Sequence, residues 1–307
     1  MEAEPFSAHI TPDSPITSAV QAWRYFLEDQ DLSDYTVRAF TNDLHILMQF
    51  LAPSTPVGQI STNVLNDFVT WLQLERGKPC SAKSLARRIT TLKSFFGWLY
   101  KNGRIAQNPA EKVIQHSATS PIPEILTPGE ERAVLEAAAL PRTAAKPDAR
   151  PYVLLRLLLL TGIKKGECLA LDRNHIETEA SPDPLVFVRY ANPRNRYKER
   201  KIAVSGEWVE AFFEYERQYK ITDRVFPWSP RRLEYILEDI GEQAGLAKHL
   251  SFDMCRWTCA VDDWVAGTDA DALRQKLGIS RIQWQEVGRK IRSLAPENLT
   301  GLAFAQG

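Results

Sequence analysis

Pro109, Pro121, Pro123 and Pro128 stand close together in a chain that otherwise reads as one amphipathic helix after another. Proline has no amide hydrogen and fixes φ, so a stretch holding these four with Ser and Thr between them is linker, not the interior of an element. A chain of 307 residues is long enough for two cores of ordinary size, and this stretch divides it. The expected organisation is an aperiodic, Pro-containing flexible arm over 1–15, a helical domain over 16–115, a linker over 116–126 and a second domain over 127–307.

Apolar periodicity places helices in the first domain at about 17–30, 33–51, 62–76 and 81–101. Ser33 is an N-cap candidate for the second, with Tyr35, Ala39, Leu44, Leu47 and Leu51 on its apolar stripe. The fourth turns Leu85, Ile89, Leu92, Phe96 and Leu99 inward and stops at Gly103. Thr127, Pro128 and Glu130 form a capping box that opens the second domain with a helix to Ala139. Helices follow at 148–161 and 164–171. Strand character in LVFVRY and KIAV then flanks a basic loop, before helices at 207–220, 230–244, 253–266, 269–277 and 281–293. The fold class is mainly α with a small β-sheet.

The longest apolar run, Val153 to Leu160, contains Arg156 and falls short of the ~20 residues of a membrane helix. The N-terminus lacks a basic-then-apolar signal pattern, so no membrane partner and a cytoplasmic location are expected. Cys80, Cys168, Cys255 and Cys259 are scattered and read as small buried hydrophobes in a reducing compartment. Cys255 and Cys259 are i, i+4 with His249 upstream, but a zinc site lacks a fourth ligand; neither metal nor cofactor is expected. His175 reads as a turn histidine, and Trp257, Trp264 and Trp284 as core.

With 38 basic against 38 acidic side chains the chain is not one that coats nucleic acid along its whole surface. Local clusters matter more. Lys83, Arg87 and Arg88, with Lys93 farther along, give the fourth helix a basic face opposite its core stripe, which suits either plain solvation or phosphate contact. Arg194, Arg196, Lys198 and Arg200, opposed only by Glu199, form a second cationic element in the other domain. Two such elements joined by a linker permit a clamp, which favours double-stranded DNA as the partner.

Two longer segments are more specific. SAKSLARRITTLKSFFGWLYKNGRIAQNPAEKV resembles the last long helix and exit turn of the core-binding domain of tyrosine recombinases of the phage-integrase and Xer type. LLLLTGIKKGECLALDRNHI is similar to that family's first catalytic box, TG-hydrophobe-R-x-S/G-E-L-x-x-L. The resemblance runs from about residue 20 to 295. It implies an N-terminal helical, SAM-like core-binding domain, a C-terminal α+β domain of the tyrosine-recombinase catalytic type, and a role in DNA recombination or integration. In that family cleavage needs two arginines, a hairpin lysine, two histidines (the second sometimes tryptophan) and a tyrosine. Attack of a phenol on a phosphodiester calls for cations at the nonbridging oxygens, a general acid for the leaving oxygen and a positioned nucleophile.

Carried over one position at a time, the first-box arginine falls on Lys164, which keeps charge but loses the bidentate fork. The hairpin lysine falls near Asn195, with Arg196 or Lys198 as neighbours able to fill the space. The second box, H-x-L-R-H, lies on Asp253 to Trp257, so Arg256 survives while both histidines are gone. The next donor becomes Ile279, and the nucleophile position becomes Gly288. The chain's 9 tyrosines end at Tyr235, and neither Ser280 nor Ser293 has a base to activate it. The reading is a DNA-binding pseudoenzyme of this family, unable to cleave by itself, whose partners are duplex DNA and a second copy or an active recombinase. Its alternatives are an active integrase with an unconventional or partner-supplied nucleophile, and a protein-interaction module, which zero net charge and Asp253 support. Arg256 has two open fates, reaching phosphate or pairing with Asp253. Pairing is preferred because the other catalytic groups that would keep the guanidinium free are lost.

Overall fold

A computed structural model describes residues 5–30, 32–78, 80–114, 121–180 and 182–295, and the chain divides into two compact units at Pro121/Ile122. The division falls inside the expected linker, of which residues 116–120 lie outside the described residues. Its last residues already belong to the second unit: Leu126 is buried, and its amide donates to Thr258 Oγ1 at 2.9 Å.

The first unit is helical: α1 (Ile16–Asp29), α2 (Asp34–Phe50), α3 (Thr62–Leu74) and α4 (Ala82–Lys101). Ser33, Ser61 and Ser81 cap α2, α3 and α4, each hydroxyl accepting from the amide three residues on. Trp23, Leu44, Leu47, Phe68, Phe95, Phe96 and Leu99 fill the core, and the Trp23 ring stacks on Phe40 with centroids 5.9 Å apart. Two expectations are corrected here. Tyr35 is 84% exposed, not inward; Val37, Thr41, Leu44 and Leu47 form the buried stripe, one register away. Of the segment expected as a flexible arm, residues 5–15 pack onto this unit and residues 1–4 lie outside the described residues. Ile10 is an apolar anchor in the core, Val57 N donates to Ser14 O at 3.0 Å, and Gly58 N donates to Pro12 O at 2.8 Å. Gly58 allows that approach because a Cβ there would lie 2.8 Å from Pro12 Cβ.

The second unit begins with α5 (Pro128–Ala139), opened by the expected Thr127/Glu130 capping box. Helix α6 (Arg150–Thr161) is apolar on nearly every side because it is packed by α5 and by the later helices α8 (Gly206–Tyr219), α9 (Pro230–Gln243) and α10 (Phe252–Val265). Its residues Val153, Leu154, Leu155, Leu157 and Leu158 are fully enclosed. Gly162 ends it in the left-handed region at φ 58°. The short α7 (Lys165–Leu169) leads into an antiparallel three-stranded sheet in the order β1 (Ile176–Glu177), β2 (Leu185–Val188), β3 (Arg200–Ala203), with Val186 paired to Ile202. After α10 come α11 (Ala270–Lys276) and α12 (Arg281–Leu294), which close a smaller apolar cluster around Val261, Leu273, Leu277 and Ile291. Trp257, Trp264 and Trp284 pack against that cluster. Cys255 and Cys259 are buried on α10, and burial pushes both thiols up to about 12. Among the described residues no helix is long and apolar enough to cross a membrane.

Candidate functional site

The sharp turn at Gly162 sets Lys164 as the N-cap of α7, and Glu167 at the third helical position reaches back to accept from Lys164 N at 2.8 Å. Glu167 is thereby fixed beneath the basic strand β3. Arg200 grips its carboxylate through both terminal nitrogens, Nη2 to Oε2 at 2.9 Å and Nη1 to Oε1 at 3.1 Å. The Tyr190 hydroxyl donates to the same Oε1. Burial alone would raise the Glu167 carboxyl, but the hydrogen bonds and charge of Arg200, with Tyr190 and Lys164 N, hold it down at about 2. Tyr190 moves the other way: burial and the neighbouring carboxylate push its phenol up to about 12. Arg200 also donates from Nε to Lys276 O at 2.6 Å. Gly278 makes room for this guanidinium, since a Cβ there would lie 2.6 Å from Arg200 Nη1.

Arg256 does not form the expected pair with Asp253. Its Nη1 donates to Gly162 O and its Nη2 to Leu277 O at 2.6 Å, so the guanidinium ties the turn after α6 to the turn after α11. Asp253 is exposed one helical turn earlier and makes no ion pair among the described residues. On α10 the arginine is turned toward the carbonyls of Gly162 and Leu277, while the carboxylate three residues earlier stays exposed. Burial lowers the Arg256 pKa.

Lys164 is half-buried, and its ammonium is pushed down by that burial, against the pull of Glu167 and together with the charges of Arg256, Arg200 and Lys198. Lys198 is the hairpin cation that faces this cluster, its Nζ 5.9 Å from the Tyr190 ring centre. Asn195, the expected hairpin position, lies at one remove and accepts from Lys198 Nζ at 2.9 Å. Beside the cluster a cleft of 610 Å³ is bordered by Lys164, Lys165, His249, Ser251, Asp253 and Arg256. Lys165 is taken up by Glu234 at 2.7 Å. The arrangement is suited to holding an anionic group near Lys164, and the phenol beside it, Tyr190, is bonded to Glu167.

The remaining carried-over positions lie elsewhere. Ile279 is buried in the small apolar cluster, and its carbonyl accepts from Arg274 Nη1 at 3.1 Å. Gly288 is buried on α12 beneath Trp284, where a Cβ would stand 3.1 Å from Trp284 Cε2.

Of the candidate DNA contacts, Arg194 and Arg196 are exposed on a 3-10 turn, Pro193–Lys198, between β2 and β3. Lys83 is exposed and Lys93 half-buried on α4. Three others are held in ion pairs within the chain, and of these Arg87 keeps its side chain 40% exposed. Arg200 is committed to Glu167, with its side chain only 8% exposed. Arg87 and Arg88 turn toward Asp43 of α2: Arg87 Nη1 donates to Asp43 Oδ2 at 2.7 Å and Arg88 Nε lies 3.5 Å from Oδ1. The Asp43 side chain is 2% exposed and calls for counter-charges, which α4 delivers across the α2–α4 contact. Burial still raises the Asp43 carboxyl, against Thr91 and both arginines. Asp43, Glu167 and Tyr190 are the residues the sequence reasoning missed. The available signals were an acid beside the buried stripe of α2 and an acid three residues after a helix N-cap.

Residues 20–103 match the family described as phage integrase, N-terminal SAM-like domain. The chain is 26% identical over 281 residues to tyrosine recombinase XerC of Xanthomonas campestris pv. campestris (strain B100), covering 88% of this chain and 83% of that protein. It is 28% identical over 156 residues to tyrosine recombinase XerC of Mycobacterium sp. (strain JLS), covering 50% of this chain and 52% of the relative, so there it spans about half the relative's length. Among solved structures, XerH site-specific recombinase bound to difH substrate in a pre-cleavage complex is similar at TM-score 0.71 and 16% identity, covering 97% of this chain and 99% of that one. A lambda integrase dimer bound to a COC' core site is similar at TM-score 0.70 and 16% identity, covering 96% and 83%. These structural likenesses define the fold.

Proposed function

Since the chain belongs to the tyrosine recombinase and phage integrase family, we propose that it binds double-stranded DNA in recombination or integration and does not cut the strand by itself. The observation that carries the second half is Gly288. Where the family resemblance puts the nucleophile there is a glycine under the Trp284 ring, and no tyrosine follows Tyr235 in the sequence. The phenol that does enter the cationic cluster, Tyr190, is bonded to Glu167 and raised to about 12, the opposite of what attack on a phosphodiester requires. Lys164 can neutralise phosphate charge but cannot fork across two oxygens. Exposed Lys83, Arg194 and Arg196 supply the phosphate contacts of binding, with Lys93 and Lys198 behind them. The lambda integrase relatives are described as a dimer and as a tetramer on DNA, which supports a second copy or an active recombinase as the partner that would supply cleavage.

Two measurements test this reading. A nicked duplex carrying the bound sequence, mixed with the protein and run on a denaturing gel, is expected to show no slow-migrating covalent adduct. An adduct formed by this chain alone would overturn the non-cleaving reading and support the unconventional-nucleophile alternative. Gly288→Tyr is expected to leave the gel unchanged, because the new ring displaces Trp284 and Asp253 and Ile279 still stand where proton donors belong. Duplex affinity should fall steeply with salt. Absence of binding at low salt would favour the protein-interaction alternative.

A further inference from the structure

The turn between β2 and β3 carries one feature that phosphate binding leaves unexplained. Tyr197 is 73% exposed, in the middle of a turn whose other projecting side chains are cations. The turn is built to hold its shape: Asn192 Oδ1 accepts from Arg194 N at 2.9 Å, Asn195 N donates to Asn192 O at 2.9 Å, and Glu199 N donates to Arg196 O at 2.9 Å. Glu199, the neighbouring acid, is bent back to accept from Tyr190 N at 2.9 Å. Lys198 Nζ sits 5.1 Å from the Tyr197 ring centre and is itself anchored by Asn195. An aromatic ring is thus offered to solvent from an ordered turn that also carries the exposed Arg194 and Arg196 just before it.

Aromatic rings among cations are the means by which proteins hold bases that are not stacked in a duplex: the ring takes the base face and the cations take the flanking phosphates. In an intact duplex each interior base is already covered on both faces, so the ring finds a partner only where stacking is interrupted. We propose that Tyr197 is a base-stacking site, and that the β2–β3 turn selects duplex DNA containing an exposed base, as at a gap or bulge, over continuous duplex. The proposal rests on the DNA-binding reading above and specifies its substrate.

The test uses the full chain and two fluorescent duplexes of the same sequence, one continuous and one with a single-nucleotide gap flanked by 2-aminopurine. The wild type is expected to bind the gapped duplex about tenfold more tightly and to quench the 2-aminopurine. Tyr197→Ala should equalise the two affinities and abolish the quench, while Tyr197→Phe keeps both. Arg194→Ala should weaken both duplexes equally and leave the ratio intact. Equal wild-type affinities, or a preference that survives Tyr197→Ala, would overturn this inference alone. No binding of either duplex at low salt would overturn the DNA-binding reading and this inference with it.

Discussion

Arg200 and Glu167 close a bidentate ion pair at 2.9 and 3.1 Å with side chains only 8% and 3% exposed, so one arginine of the β2–β3 region is spent inside the protein. The pair ties strand β3 to the turn that presents Lys164, and Nε of the same arginine extends the tie to the end of α11. Its role is architectural, holding the cationic cluster in register.

Glu167→Gln should therefore destabilise the second unit by about 3–5 kcal/mol, because it leaves a buried guanidinium without its charge partner. The acid limb of stability should change as well. The carboxyl lies at about 2 in the folded chain against about 4.3 when unfolded, so its stabilisation is complete above the unfolded value and is lost as pH falls from there toward 2. Urea midpoints measured from pH 6 downward should fall more steeply for the wild type than for Glu167→Gln.

Gly278→Ala meets two obstacles at once, a backbone at φ 58° and an arginine nitrogen 2.6 Å from the new Cβ. A loss of about 2–4 kcal/mol is expected, from left-handed backbone strain and displacement of Arg200. Combined with Glu167→Gln the loss should be clearly less than additive in a denaturation cycle, since both changes undo one ion pair.

Arg256 and Asp253 should separate cleanly in a thermal melt. Arg256→Ala strands the carbonyls of Gly162 and Leu277 and should cost about 2–4 kcal/mol. Asp253→Asn, at an exposed position with no ion pair among the described residues, should stay within about 0.5 kcal/mol. Equal melting shifts for the two would mean that the guanidinium depends on the carboxylate after all.

On α4, Lys83 and Arg88 should report different things. Lys83→Ala should leave the melting temperature unchanged and reduce the slope of log affinity against log salt by about 0.9 if the ammonium meets a phosphate. Arg88→Ala removes a charge from beside buried Asp43 and should lower stability of the first unit by about 2–4 kcal/mol. A variant with normal melting and a reduced salt slope at position 88 would restore that arginine to the DNA-facing side.

The helical architecture is legible in the sequence because its signals are local. Ser33, Ser61, Ser81 and Thr127 cap helices through atoms three residues away, and the apolar stripe of α4 buries as its spacing requires. The substituted positions Lys164, Asp253, Ile279 and Gly288 are equally local, each read from its place in a short motif. Where local reading went astray, a long-range contact supplied the missing term. Ile10 has the local pattern of a loose arm but is buried in the first core, and Val37, not Tyr35, lies on the buried stripe of α2.

Charge pairing was the part that only the tertiary structure decided. A run of arginines has the same pattern in sequence whether its members face phosphate or a buried carboxylate, because the deciding acid lies 33 residues away for Arg200 and 44 for Arg87. Asp43 and Glu167 are enclosed at 2% and 3% side-chain exposure, and a buried carboxylate without a counter-charge is too costly to leave alone. Folding therefore draws Arg88 and Arg200 inward, pairs the still partly exposed Arg87 with Asp43, and leaves Lys83, Arg194 and Arg196, which have no such acid within reach among the described residues, facing solvent.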